Sequence, residues 1–197
     1  VLTLTSDIGT KDFLVGAVKG QILQVNEGIN IVDISHDLTP FNYPQAAYVC
    51  RNAIRNFPEN SFHMILMNLF HTRPEYLLLA RHGNQYIGMA DNGLMTMVLE
   101  GLPDEVVGIP LDRTQNRNTL YCARVLAQAY TDLLSGVKLP RLGDTNYGIQ
   151  VKNALKPLLG NNYIEGQIIF IDHFENVIVN ITREEFEEQR KGRAFKI

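Results

Sequence analysis

Asp7 stands where the β-branched and apolar run Val1 to Ser6 breaks at Ile8-Gly9, just ahead of a helical period that begins near Asp12. Open α/β sheets bind ligands outside the carboxyl ends of their strands, and a carboxylate there can accept both hydroxyl hydrogens of a ribose. The same position also suits an N-cap or an Asx turn for the helix that follows. His36 and Asp37 close a second such run, Ile29 to Ile34, on the same sheet edge, and Phe41 follows Pro40 in a loop that can lay a ring against a base. Asp91-Asn92-Gly93 is a turn, or a carboxylate and an amide offered to a ligand. Asp172, Phe174 and Asn176 fall in a short link between two strand-like runs. They read as a hairpin turn with a buried Phe, or as a stacking face beside an amide that offers a purine one donor and one acceptor. The chain has no GxGxxG and no GxxxxGK[ST], so a dinucleotide fingerprint or a P-loop is not indicated.

These residues need elements to position them. From Asp12 the apolar positions Phe13, Leu14, Ala17, Val18, Ile22 and Leu23 repeat at helical spacing, with Gly16 and Gly20 one turn apart as a close-packing notch. With the flanking runs this makes strand, helix, strand, the unit of a parallel α/β sheet. Tyr43 to Asn56 reads as a helix, Phe62 to Met67 as a buried strand, and His82-Gly83-Asn84 as a hairpin turn between Glu75 to Ala80 and Gln85 to Gly88. Asn118 to Ser135 is a long amphipathic helix closed by Gly136. Lys152 to Asn162, with Pro157 and Gly160, is a linker. Beyond it Tyr163 to Ile171 and Val177 to Thr182 follow each other without a helix, the start of an antiparallel β domain. The expected architecture is an N-terminal α/β/α domain with a mostly parallel sheet over residues 1–157. The start of a β domain follows over 158–197, with residues 183–197 a surface helix or loop.

The 197 residues, with 45% apolar and 20% charged side chains, have an ordinary globular composition. A net charge of −3 and a pI near 6.0 argue against nucleic acid or an anionic membrane as partner. Cys50 and Cys122 have no CxxC or Cys/His spacing, so neither a disulfide framework nor a metal site is expected, and a reducing cytoplasm fits. No apolar run reaches the roughly 20 residues needed to span a bilayer. Val at position 1, leading straight into a strand, suggests a portion of a longer protein rather than a signal peptide.

Taken in order, Thr5-Ser6-Asp7-Ile8-Gly9-Thr10-Lys11-Asp12, Val15-Gly16-Ala17-Val18-Lys19-Gly20, Ile31-Val32-Asp33-Ile34-Ser35-His36, Phe57-Pro58, Asp91-Asn92-Gly93 and Ile171-Asp172-His173-Phe174-Glu175-Asn176, leading to Asn180-Ile181, carry a resemblance. The chain resembles the SAM hydroxide adenosyltransferase and fluorinase/chlorinase family. That resemblance implies an α/β domain followed by a β-barrel, here incomplete. It also implies a homotrimer with S-adenosylmethionine (SAM) held between one subunit's first domain and a neighbour's barrel, SAM being substrate or ligand and no cofactor being needed. By it Asp7 would hold the ribose hydroxyls, Phe41 would sit near the ribose, Asp91 and Asn92 would lie at the ligand site, Asp172 would meet the methionine part, and Phe174 and Asn176 would contact the adenine.

The sequence also departs from the pattern. Hydrolytic members carry Asp-Pro-Gly-Val-Gly after the third strand, an Arg shortly after, and a His in Phe-His-Gly-Arg-Asp. Those places read Asn68-Leu69-Phe70-His71-Thr72, Glu75-Tyr76 and Leu120-Tyr121-Cys122-Ala123-Arg124 here. Asn68 cannot take a proton at neutral pH, and Glu75 reverses the charge of an Arg. His71 becomes the candidate base with Glu75 orienting it, and Tyr121 is the feature shared with halogenating members. The expected function is thus SAM or adenosine binding with hydrolysis to adenosine and methionine, against a silent binder of the same fold or a SAM-dependent halogenase. Glu175, where the family has Gly, adds bulk and charge beside the adenine position.

Overall fold

In the computed structural model, which describes residues 1–71 and 74–197, β1 (Leu2–Ser6) is buried along its whole length, its Leu and Thr side chains alternating between two covered faces. Thr72, part of the segment read above, lies outside the described residues. Leu2 and Leu4 enter a core with Val18 and Ile22 of α1 (Leu14–Val25) and with Cys122, Leu126 and Tyr130 of α4 (Thr119–Leu134). On the opposite side of the sheet Ile65, Met67 and Met89 pack with Ala46 and Cys50 of α2 (Tyr43–Ile54) and Met95 and Val98 of α3 (Leu94–Leu99). Helices on two faces of one sheet give three layers. Both cysteines are free and buried, and burial pushes the Cys50 thiol up to about 12 and the Cys122 thiol to about 11, so neither is a reactive thiolate.

The sheet has the order β2-β1-β3-β5-β4-β6. Strands β2 (Ile31–Ser35), β1, β3 (Phe62–Leu66) and β5 (Gln85–Ala90) are parallel, while β4 (Tyr76–His82) runs antiparallel between β5 and β6 (Glu105–Pro110). The expected hairpin is therefore β4–β5, with Gly83 at φ 56 in its turn, but its second strand inserts next to β3. Asn42 starts α2 by accepting the Gln45 N–H, and Asn118 starts α4 by accepting the Tyr121 N–H.

α1 differs from its sequence reading. Asp12 accepts the Leu14 N–H at 2.8 Å, so Phe13 sits ahead of the first turn and is 75% exposed. Val18 and Ile22, one turn apart, carry the packing against α4, which leaves Leu23 exposed off that stripe. Nothing approaches Gly16 or Gly20 within 4 Å of a would-be Cβ, so they form no notch.

The chain divides into two units, Val1–Lys152 and Asn153–Ile197. In the second, β7 (Leu158–Leu159) pairs with β8 (Ile164–Glu165), and β9 (Ile168–Ile171) with β10 (Val177–Val179), both antiparallel. The expected linker thus contains a strand, and the run from Tyr163 is broken between β8 and β9. α5 (Arg183–Arg190) follows, closed at its start by a capping box between Thr182 and Glu185. Among the described residues no helix is long and apolar enough to cross a membrane, and no cluster of His, Cys, Asp and Glu is arranged to hold a metal.

Candidate functional site

The strand order reverses at β1: the chain leaves it for β2 on one side and returns to β3 on the other. Such a switch point opens a crevice between the carboxyl ends of the two strands, the place where doubly wound sheets bind ligands. Asp7, one residue past β1, and Asn68, two past β3, flank it. The Asp7 carboxylate accepts the Asn68 backbone N–H through Oδ2 at 2.9 Å. It caps no helix, since Asp12 serves α1. Asn68 in turn accepts the Phe41 N–H on its Oδ1 at 3.0 Å, and the Phe41 ring meets the His71 ring edge-on at 5.7 Å between centroids. The loops after β1, β2 and β3 are thereby tied together.

Two of these residues sit in left-handed backbone, Phe41 at φ 63 and Asn68 at φ 46. Asn tolerates this conformation, whereas a bulky side chain pays about 1–2 kcal/mol for it. Phe41 is also 61% exposed. The hydrogen bond from its N–H to Asn68 holds an aromatic ring outward in a strained loop, a pattern found at ligand sites.

Beside this crevice lies a cavity of about 310 Å³, lined among others by Asn68, His71, Glu75, Asp91, Asn92 and Tyr147. Asn92 is buried and spent on structure: its amide donates to Met67 O and accepts the Leu94 N–H at the start of α3. Asp91 anchors the last segment of the first unit, accepting the Tyr147 hydroxyl at 3.0 Å and the Gln150 N–H at 3.0 Å. Burial, followed by the Asp91 charge, pushes the Tyr147 phenol up to about 12. The Tyr147 ring lies on Gly108, where a Cβ would come within 2.7 Å of it, and Lys152 exchanges two backbone hydrogen bonds with the Thr96 hydroxyl. Nothing in the sequence signals this strap, because Asp144 to Lys152 has no period and its contacts lie some 40 to 60 residues back.

Among the described residues Glu75 makes no hydrogen bond to His71. Its carboxylate pairs with Arg113 at 3.1 Å, and the backbone at Glu75 is fixed by the Leu111 N–H. Arg117 reaches the neighbouring Pro74 carbonyl at 2.7 Å, and the Tyr121 hydroxyl accepts the Asp112 N–H at 3.0 Å. Glu75 and Tyr121 are thus both stitched to the loop 111–118, and Tyr121 is not among the cavity's lining residues. Arg113 and Arg117 escaped the sequence reading because they sit outside every motif.

In the second unit Asp172 closes the β9–β10 turn. Its Oδ1 accepts the Phe174 and Asn176 N–H groups, each at 2.8 Å, and its Oδ2 accepts the Asn176 amide. These bonds, the Asn176 side chain's first, hold the Asp172 carboxyl below the usual range. Phe174 is 83% exposed rather than buried. Glu175 takes φ 64, the left-handed conformation that explains a Gly at this point of the pattern.

Residues 2–143 match the model of the SAM hydroxide adenosyltransferase N-terminal domain, and residues 166–197 that of its C-terminal domain. The chain belongs to the SAM hydroxide adenosyltransferase family. Relatives within reach of this family member include the (R)-S-adenosyl-L-methionine hydrolase of Methanocaldococcus jannaschii, 30% identical over 190 residues, spanning 94% of this chain and 68% of the relative. A fluorinase from an Actinoplanes species is 26% identical over 223 residues, spanning 98% of this chain and 75% of the relative. Among solved structures, an uncharacterized conserved protein from Thermotoga maritima superposes with a TM-score of 0.82 at 26% identity, covering 96% of this chain and 74% of that one. A conserved hypothetical protein from Thermus thermophilus, at 23% identity and a TM-score of 0.67 over 92% of this chain and 73% of its own, shares the fold.

Proposed function

We propose that this protein binds SAM, or the adenosine part of it, at the switch-point crevice, as a protein of the SAM hydrolase type. The observation that carries the reading is Asp7. One of its oxygens is fixed by the Asn68 N–H, and the other makes no hydrogen bond among the described residues. A carboxylate held on one side and open on the other is a prepared acceptor for a sugar hydroxyl. The names of the hydrolase and fluorinase relatives support SAM as the nucleoside.

The rest of the assignment follows the family. Phe41 would flank the ribose, Phe174 and Asn176 the adenine, Asp172 the methionine, with Asp91 and Asn92 shaping the pocket wall. The functional division would fall near residue 157, the second domain being part of a barrel, in a cytoplasmic homotrimer whose sites lie between subunits. The exposed Ile168, Ile171, Val177 and Phe174 of the second unit support a surface that other strands or a neighbour cover. In hydrolysis the C5′–S bond breaks with its electron pair going to sulfur, a C5′–O bond forms to water, and the water's proton leaves to a base. The sulfonium departs as a neutral thioether, so no cofactor is required. His71 is the base this reading assigns; Asn68 has no basic lone pair to offer.

A second reading, a silent binder, is favoured by Asn68 and by the diversion of Glu75 to Arg113. A halogenase has Tyr121 and the names of the fluorinase relatives behind it. Incubation with SAM, with adenosine followed by chromatography and binding by calorimetry, separates them. Adenosine release that disappears in His71→Ala supports hydrolysis, and tight binding without release leaves the silent binder. Chlorinated adenosine formed in chloride buffer would revive the halogenase. Failure to bind SAM or adenosine, or equal binding by Asp7→Ala, refutes the nucleoside reading.

A further inference from the structure

We propose that His36 is a positioning residue for this site, setting the Asp7 carboxylate through Ser6 while Asp33 and Lys19 hold the imidazole from behind. This rests on the reading of Asp7 as the nucleoside anchor. Ser6 is the last residue of β1 and fully buried, and His36 is 6% exposed. A buried hydroxyl and a buried imidazole must each find a partner, and they find each other: Ser6 Oγ lies 2.7 Å from His36 Nδ1.

The other ring nitrogen, Nε2, lies 3.1 Å from Asp33 Oδ1, within ion-pair reach although off the line of a hydrogen bond. Asp33 Oδ2 holds Lys19 Nζ of α1 at 2.5 Å. Burial alone would raise the Asp33 carboxyl, but Lys19 and His36 outweigh it and keep it below its usual value. A carboxylate at Nε2 draws the ring proton to that nitrogen, so Nδ1 accepts and Ser6 donates. The line from Lys19 to Asp33, His36 and Ser6 then ends one peptide from Asp7.

The grip is double. The His36 carbonyl also accepts the Gly9 N–H at 2.7 Å, so residue 36 holds the chain on both sides of Asp7. The Thr10 hydroxyl adds a bond to Asp37 at 3.2 Å. From the β3 side Asn68 supplies the third support. His63, the other buried histidine that bonds a β1 hydroxyl, shows what a purely structural pair looks like. It meets Thr3 at 2.8 Å, and its Nε2, like that of His36, makes no hydrogen bond, but among the described residues no carboxylate lies within ion-pair reach of its ring. His36 is enclosed, with Nδ1 bonded to Ser6 and Nε2 facing the Asp33 carboxylate, so it acts on a ligand only through Asp7.

The test measures SAM and adenosine affinity by calorimetry for Ser6→Ala, His36→Leu, their double variant and His36→Gln, each checked for cooperative unfolding. Loss of a hydrogen bond that aims a charged group should weaken nucleoside binding roughly tenfold in either single variant. The double variant should be no worse than the singles, because both remove one interaction. Gln can accept from Ser6 and should restore most of the affinity. The Asn68 amide resonance, which reports the Asp7 bond, should move in the two weakened variants and return in His36→Gln. Should His36→Leu not fold, Ser6→Ala decides. A wild type that binds while Ser6→Ala binds equally well, or losses that multiply in the double variant, overturns the assignment of His36 alone. A wild type that binds no nucleoside overturns the reading of Asp7 and the assignment with it.

Discussion

Replacing Asn68 with aspartate returns an acid to the place where hydrolytic members keep one, and the surroundings fix its cost. The side chain is 7% exposed, its Oδ1 accepts the Phe41 N–H, and its Nδ2 has no partner among the described residues. A carboxylate keeps the Phe41 bond and removes the idle donor, whose unpaired burial costs about 1–3 kcal/mol. Against this, a charge enters a buried position next to Asp7, which already takes the backbone N–H of residue 68. Burial and a like charge both raise the pKa of the new acid, so ionising it in the folded state costs about 2–3 kcal/mol. The sign follows: the folded pKa exceeds the unfolded one, so the stability of N68D is full at low pH and falls as pH rises through the folded pKa. Urea unfolding should show the variant losing about 2 kcal/mol relative to wild type between roughly pH 4 and pH 6, from the unfolded pKa up to the raised folded one. Over the same range adenosine release from SAM should rise at least ~100-fold above wild type, the usual contribution of a placed base. A variant whose stability tracks wild type at every pH, and whose adenosine release does not increase, refutes both the burial of this group and its place beside the reacting carbon.

Burial holds the His63 imidazole down at about 4, so it contributes stability that is present above the unfolded pKa near 6.5 and is lost as pH falls toward 4. Unfolding experiments should show an acid-linked loss of about 3 kcal/mol that His63→Gln abolishes. Gly93→Ala forces a Cβ onto backbone at φ 84 and into the Lys152 side chain. It should cost about 1–2 kcal/mol in urea unfolding, an effect absent in Gly101→Ala, where nothing crowds the site. Asp172→Ala removes the acceptor of two turn N–H groups, and hydrogen exchange at Phe174 and Asn176 should accelerate while that of the first unit stays unchanged.

What the sequence made legible was local. β1, α1 and β2 announce themselves by their periods, and Asp7 by its place at a strand's end, because each depends on a few adjacent side chains. β6 did not, since Glu105–Pro110 follows the turn-like Gly101-Leu102-Pro103 and itself ends in Pro. The insertion of β5 beside β3, with β4 outside it, depends on pairings made across the whole sheet. The site divides the same way. Asn68 and Phe41 were found as residues, but the hydrogen bond joining them spans 27 positions, and the Arg113 that claims Glu75 lies 38 positions away. Such partners leave no trace in spacing, and charge reversal at Glu75 is explained only once Arg113 is seen beside it.

The strap that ends at Lys152 has a consequence for the order in which the molecule assembles. The β4–β5 hairpin closes over a two-residue turn and can form in about 1–10 μs, ready to add to β3 as a unit. Tyr147 and Gln150, by contrast, follow every strand of the sheet in the chain, so during synthesis from the N-terminus their bonds to Asp91 can form only after those strands have been made. A nascent chain emerging from the ribosome would therefore own a finished sheet and a formed switch-point crevice while its cavity still lacked a wall. Ligand encountered at that stage would meet Asp7 first and the enclosed pocket last, so the crevice is the earliest part of the candidate site to mature and the cavity beside it the latest.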